Sequence, residues 1–396
     1  MNEYQNEPEH EVSRLSRRRF IHNSAVVAGA AIAGAAVGRP QDGALAAAGT
    51  APVASSAGSF SRAEKMRGVN LGGWLVLEKW ITPSLFQGTT ARDEWEFSAL
   101  PDGAARLKAH RERYITADDF AWIAARGLNT VRIPVGHWVL DAPKPYIAAA
   151  ERLDWAFSQA QKHGLGVLLD LHGAPGSQNG YDHSGKQGAI EWHTKPENIE
   201  QTLRVLEALA QRYARYENLV AIQPLNEPRW DVPLDIVKKF YQDAYRRVRR
   251  FLPKERVTFV IHDSFRSFEW KNFMTEPEYS NVMLDTHLYQ VFTEADRKRG
   301  ASQHIEEAAK RKGHLDAMQN QLWTIVGEWS AALPPESLKE LSPLQADMAK
   351  RAFGAAQLLS YETSHGWFFW SLKTETMPEW SLRECVARGW LPNQFV

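Results

Sequence analysis

GVLLDLH, residues 166–172, is the stretch whose reading decides the fold. It is apolar except at Asp170 until it ends on His172, the pattern of a strand covered on both faces and not of one with a wet side. TVRIPVG, residues 130–136, has the same character. Working outward, eight short β-rich runs stand out, at 67–73, 128–135, 165–172, 219–227, 256–263, 282–289, 323–329 and 366–372. Longer amphipathic stretches separate them, such as 199–216 (IEQTLRVLEALAQRYARY) and 234–251, with apolar residues at helical spacing. Gly127 and Gly164 each follow a helical pattern and precede a strand, where a helix C-cap glycine belongs.

Eight strands alternating with helices predict an α/β fold of the (β/α)8 TIM barrel type in a single domain. An open doubly wound sheet more often opens with a glycine-rich phosphate turn, and no GxGxxG or GxxxxGK[ST] occurs. The long segment 78–114 after the first strand reads as an insertion that walls one side of the site. The barrel is expected over residues 65–396.

The N-terminus reads differently. Ser16-Arg17-Arg18-Arg19-Phe20-Ile21 precedes an Ala/Gly/Val run over 25–37 and a small-x-small site at Ala44-Leu45-Ala46. That order is the pattern of a twin-arginine export signal over 1–46, followed by a linker over 47–64. The apolar run is too short for a comfortable membrane span. The expectation is therefore an exported, periplasmic or secreted monomer without stable membrane attachment.

Composition narrows the partner. Lys plus Arg number 47 and Asp plus Glu 47, so there is neither a basic footprint for nucleic acid nor an acidic excess for a cationic partner. Fifteen Trp supply flat aromatic faces of the kind sugar rings stack on. The single cysteine, Cys385, excludes an intramolecular disulfide and a multi-cysteine metal cluster.

In a TIM barrel the C-terminal strand ends converge on the active site. The polar and aromatic residues expected there are Arg132, His172, Asn226, Glu227, His287, Tyr289, Glu328 and Trp370. Glycosidic cleavage needs one carboxylic acid to protonate the leaving oxygen and a second carboxylate at the developing oxocarbenium carbon. Glu227 in LNEP and Glu328 in VGEWS suit those roles. Arg132 is the cation expected beside Glu328, since a nearby positive charge favours the ionised carboxyl. Adjacent Asn226 and Glu227 can both reach the site only where the strand distorts or stops, which Pro228 favours. His287 and Tyr289 lie two apart on one expected strand and so project to one side. Tyr289 is expected to donate to Glu328 and His287 to act on Glu227.

The segments RGVNLGGWLVLEKWITPSLF (67–86), VRIPVGHW (131–138), LDLHGAPGSQNGYDHSG (169–185), LNEP (225–228), HLYQVF (287–292), VGEWSAAL (326–333) and GWFFWSLKTE (366–375) together resemble glycoside hydrolase family 5. Within that family they are most similar to the exo-β-1,3-glucanases of fungi. The resemblance implies Glu227 as acid/base and Glu328 as nucleophile of a retaining β-glucosidase. Arg132, His172, Asn226, His287 and Tyr289 would support them, and Trp370 would be a platform under the sugar. It implies further that Glu78 and Asp182 hold hydroxyls of the terminal glucose, closing the pocket for exo action, and that Tyr181 and Phe292 grip the next sugar. No cofactor and no metal are implied, and the partner is a β-glucan or β-glucoside. Three places depart from the fungal pattern: Asp93-Glu94-Trp95-Glu96, Tyr181 where Phe is usual, and Leu333-Pro334-Pro335.

Other readings stay open at this level. One is a family 5 endo-β-glucanase or transglucosylase of other linkage; another is a carbohydrate-binding barrel without turnover. A metal-dependent barrel hydrolase built on His137, His172 and His287 is a third, weakened by a first strand that reads GVNLGG and lacks His-x-His.

Overall fold

The computed structural model describes residues 64–395. The expected export signal, 1–46, and the linker up to residue 63 lie outside the described residues.

Eight parallel strands close into one barrel in sequence order: β1 Met66–Asn70, β2 Thr130–Gly136, β3 Gly166–Gly173, β4 Leu219–Gln223, β5 Thr258–His262, β6 Val282–His287, β7 Thr324–Trp329 and β8 Gly366–Phe369. The last strand pairs with the first through Met66↔Gly366 and Val69↔Phe369. Closure leaves no open sheet edge. Every residue of β2 and β3 is buried, as their near-continuous apolar reading requires.

Helices cover the outside. In chain order they are α1 Glu94–Ser98, α2 Gly103–Arg113, α3 Ala117–Ala125, α4 Ala150–Lys162, α5 Pro196–Tyr213, α6 Leu234–Val248, α7 Glu294–Lys298, α8 Ala301–Gln319, α9 Pro343–Tyr361 and α10 Leu382–Ala387. Gly127 and Gly164 follow α3 and α4 with φ of 78° and 68°, the left-handed conformation that glycine takes without a Cβ penalty. The stretch 78–114 forms a 3-10 turn, Pro83–Phe86, together with α1 and α2.

Two layers fill the barrel. Met66, Leu168, Ala221, Val260, Met283, Ile325 and Phe368 form an apolar floor. Two residues further along their strands, strand alternation turns the next set inward: Asp170, Gln223, His262, Asp285 and Gly327, with Arg132 and Asn70 in the same level, the named side chains being fully buried. A TIM-barrel interior is ordinarily packed by branched apolar side chains. Here the upper layer is polar.

Five of the strands, β1, β4, β5, β6 and β8, stop short of the upper ends that the sequence pattern suggests. β4 stops at Gln223 and not at 227, because Pro224 cannot donate a ladder hydrogen bond. β6 stops at His287, so Tyr289 lies beyond the strand and the expected two-apart alternation does not place it. β1 and β8 likewise end at Asn70 and Phe369 and not at 73 and 372. Arg132 is the third residue of β2 and not its end.

Candidate active site

Arg132 is the hub of the upper layer. Its Nε donates to Gln223 Oε1 at 3.0 Å and its Nη1 to Asn70 Oδ1 at 2.8 Å and Glu328 Oε1 at 3.2 Å. Its Nη2 donates to Asn226 Oδ1 at 2.7 Å and lies 3.1 Å from Asp170 Oδ2. Burial disfavours the guanidinium charge, but the carboxylates of Asp170, Glu328, Asp285 and Glu227 outweigh it and raise its pKa. A fully buried cation is tolerable only with such partners.

Glu328, near the end of β7, takes hydrogen bonds on both oxygens. Arg132 serves Oε1, and Tyr289 donates to Oε2 at 2.9 Å. Glu227 sits beyond β4 with φ of 43°. That left-handed conformation costs a non-glycine residue roughly 1–2 kcal/mol, and neighbouring amides hold it. Asn226 N–H donates to Leu171 O at 2.9 Å, Gln178 Nε2 to Asn226 O at 2.8 Å, and Asn179 Nδ2 to Glu227 O at 3.2 Å.

His287 links the two carboxylates. Its Nδ1 lies 2.6 Å from Glu227 Oε1 and 3.5 Å from Glu328 Oε2, while its Nε2 is 3.2 Å from Asp285 Oδ2. Burial acts to lower its pKa, but the charges of Glu328 and Asp285 and the hydrogen bonds to Asp285 and Glu227 win and raise it to about 10. His287 is then an imidazolium whose two N–H groups donate to Glu227 and Asp285. Asp285 is fixed in turn by Gly327 N–H at 2.6 Å and Gln223 Nε2 at 2.7 Å. Burial opposes its charge, but His287 and Arg132 hold its pKa below the ordinary value. Asp170 binds His172 Nδ1 at 2.7 Å, and burial, against the pull of Arg132, pushes its pKa up to about 7.

The other expected residues gather round this centre. Trp370 is fully buried, its ring stacked on His172 at 5.4 Å and 11°, and Gly72 leaves room for the indole. Glu78 accepts Trp80 Nε1 at 2.9 Å. Trp80, Trp370 and Trp380 form one apolar cluster with Tyr289 and Phe292 packed against it. Tyr181 and Asp182 occupy the loop after β3. His183 of that loop reaches Glu227 Oε2 at 3.4 Å.

The departing segment Asp93-Glu94 ties the two walls together. Glu94, fully buried, accepts Leu77 N–H at 2.8 Å beside Glu78, and also Arg111 Nη2 at 2.9 Å and Trp138 Nε1 at 2.8 Å. Asp93 accepts Gln187 N–H at 2.8 Å, and Trp95 N–H donates to Gly185 O at 2.9 Å, both in the loop after β3.

Asn70, Asp170, Gln223, Asp285 and His183 escaped the sequence reading as site residues, and Glu94 enters it only as a departure from the fungal pattern. For Asp170 and Asp285 a signal existed: each stands two residues before a predicted histidine, on the same strand face. The histidines proposed for a metal are not brought together. His137 packs against Trp138 and Tyr146, and His172 is bound to Asp170. The one grouping of metal-capable atoms among the described residues is Glu227, His262 and His287, within 4.8 Å of one another. His262 Nδ1 there accepts Ser264 N–H at 2.9 Å, and both nitrogens of His287 face carboxylates. His287 is thereby committed within the protein, while His262 Nε2 has no hydrogen-bond partner.

Residues 99–376 match the family model described as Cellulase (glycosyl hydrolase family 5). A glucan 1,3-beta-glucosidase of Blumeria graminis is 40% identical over 377 residues, covering 83% of this chain and 87% of that protein. A probable glucan 1,3-beta-glucosidase A of Emericella nidulans is 40% identical, covering 84% and 91%. Among solved structures, the rutinosidase from Aspergillus niger superposes with a TM-score of 0.71 at 19% identity, covering 83% of this chain and 98% of that one. The endoglucanase Cel5A of Thermotoga maritima gives 0.55 at 16% identity, covering 83% and 97%. Likeness at that level of identity speaks for the fold alone.

Proposed function

The chain belongs to glycosyl hydrolase family 5, and we propose that it is a retaining, exo-acting β-glucosidase of β-1,3-glucan or related β-glucosides. The observation that carries the reading is His287 Nδ1, which lies within 3.5 Å of an oxygen of both Glu227 and Glu328. That shared contact brings both carboxyls into one site, as double displacement requires, and the retaining spacing of about 5–5.5 Å between carboxyl carbons, against about 6.5–9.5 Å for inversion, is part of the proposal.

In this reading Glu328 attacks the anomeric carbon while Glu227 protonates the departing oxygen. Water, deprotonated by Glu227, then releases the glucose from Glu328. Arg132 and Tyr289 align Glu328 through hydrogen bonds to its two oxygens. His172 and Asn226 support the centre, and Trp370 underlies the sugar. Glu78 and Asp182 close the pocket on the terminal glucose, and Tyr181 and Phe292 receive the next unit. The relatives named for glucan 1,3-beta-glucosidase activity support the linkage. Export through the twin-arginine segment, with action outside the cytoplasm, is part of the same proposal.

A product time course on laminarin, with β-1,4- and β-1,6-glucan controls, tests the mode. Glucose of retained anomeric configuration from the first time point is expected. A ladder of oligosaccharides, or inverted product, overturns it.

A further inference from the structure

We infer that His183 is a positioning residue for Glu227, orienting the carboxyl oxygen Oε2 that remains to carry the acidic proton once His287 has taken Oε1. This rests on the proposed reading of Glu227 as acid/base.

Two histidines flank the carboxyl from different elements. His287, at the end of β6, lies 2.6 Å from Oε1, and His183, in the turn Asp182–Ser184, lies 3.4 Å from Oε2. His183 is almost fully buried. Its ring stacks on Tyr181 at 5.5 Å and meets the ring of His172 at 5.1 Å. The turn is itself anchored: Ser177 Oγ and Ser184 Oγ are 2.6 Å apart, and Ser177 Oγ also accepts Gly180 N–H at 2.8 Å. The ring therefore has a fixed place.

An acid must present its proton along the line of the departing oxygen, and small errors in that geometry are expensive in rate. Glu227 has no strand to steady it, since β4 ends four residues earlier and its own φ is 43°. With Oε1 engaged by His287, the nitrogen of His183 settles which way Oε2 faces. The same turn carries Tyr181 and Asp182, proposed to bind sugar. Seating of the sugar and aim of the acid thus depend on one loop.

The test compares kcat/KM, which reports the glycosylation step, on laminaribiose and on 2,4-dinitrophenyl β-glucoside, whose leaving group departs without protonation. His183→Phe keeps the ring packing and removes the N–H; His183→Gln restores an N–H at similar reach. General acid catalysis contributes about 10²–10⁴-fold, so His183→Phe is expected to lose at least about tenfold on laminaribiose and less than about twofold on the dinitrophenyl substrate. His183→Gln should recover most of the loss. Should the Phe variant fold poorly, His183→Asn, whose amide stops short of Oε2, carries the same test. Equal losses on both substrates, or none on either, overturn the inference. Glu227→Ala run in parallel separates the two ideas: if its loss is equal on both substrates, the acid/base assignment itself fails, whatever His183 does.

Discussion

At the scale of single residues, the two carboxylates share His287 but differ in their other partners. Glu328 is served by Arg132 and Tyr289, whereas Glu227 meets His183. Tyr289→Phe strips the hydroxyl donor from Glu328 Oε2. A hydrogen bond to a charged group is worth about 1.5–3 kcal/mol, so kcat/KM should fall roughly 10- to 100-fold with an unchanged circular dichroism spectrum. Steady-state kinetics of the variant check this, and wild-type turnover would remove Tyr289 from the centre. Glu227, Glu328 and Arg132 were legible as residues because their chemistry is distinctive. Asp285 and Asp170 were not singled out, since a lone aspartate in an apolar run does not announce which partner it will meet across the barrel.

At the scale of elements, β6 and β7 interlock through Asp285 and Gly327. Gly327 N–H donates to Asp285 Oδ1, and a Cβ at Gly327 would collide with both oxygens of that carboxylate. Asp285 cannot swing aside, because Oδ2 is bound to Gln223 and faces His287. Gly327→Ala should therefore cost about 1–3 kcal/mol of stability, as overpacking does, and displace Asp285 from His287 with a loss of kcat. Thermal unfolding and kinetics together test it; a variant with normal Tm and kcat would show the strands more compliant than this. The strands and helices were visible from periodicity, and the two glycine C-caps from their position. The upper strand ends were not, because Pro224 and the bulge near Glu328 act through pairing with neighbouring strands.

At the scale of the whole molecule, buried histidines shape the dependence of stability on pH. Burial lowers the pKa of His110, His137 and His314 to about 4 and of His262 to about 3, and lowers His193 and His304 as well. These six contribute stability that is present above the unfolded value near 6.5 and lost as pH falls toward their folded values. Burial raises Asp93, Glu94, Asp170 and Asp263, which acts in the opposite sense over the same range. Asp154, Asp231, Asp285 and Glu362, held below their ordinary values by their partners, add stability that is likewise lost in acid, so stability falls there. His287, raised to about 10, contributes stability that is present below 6.5 and lost as pH rises through about 10. Tm measured from pH 4 to 10 should therefore peak near pH 6.5. A monotonic rise into alkali would refute the charged state of His287.

The alternation of apolar runs with amphipathic helices, with eight repeats and no glycine-rich phosphate turn, was enough to favour a closed βα barrel over an open doubly wound sheet, because each pattern must bury its own apolar face. The strand-end chemistry was also written locally, in LNEP, VGEWS and HLYQVF. What only the tertiary structure decided is who touches whom. The polar layer that joins Arg132, Gln223 and Asp285, the nitrogen shared by Glu227 and Glu328, and the reach of His183 to Glu227 all join residues dozens of positions apart. Periodicity says which face a side chain occupies, but barrel closure and register determine its partner.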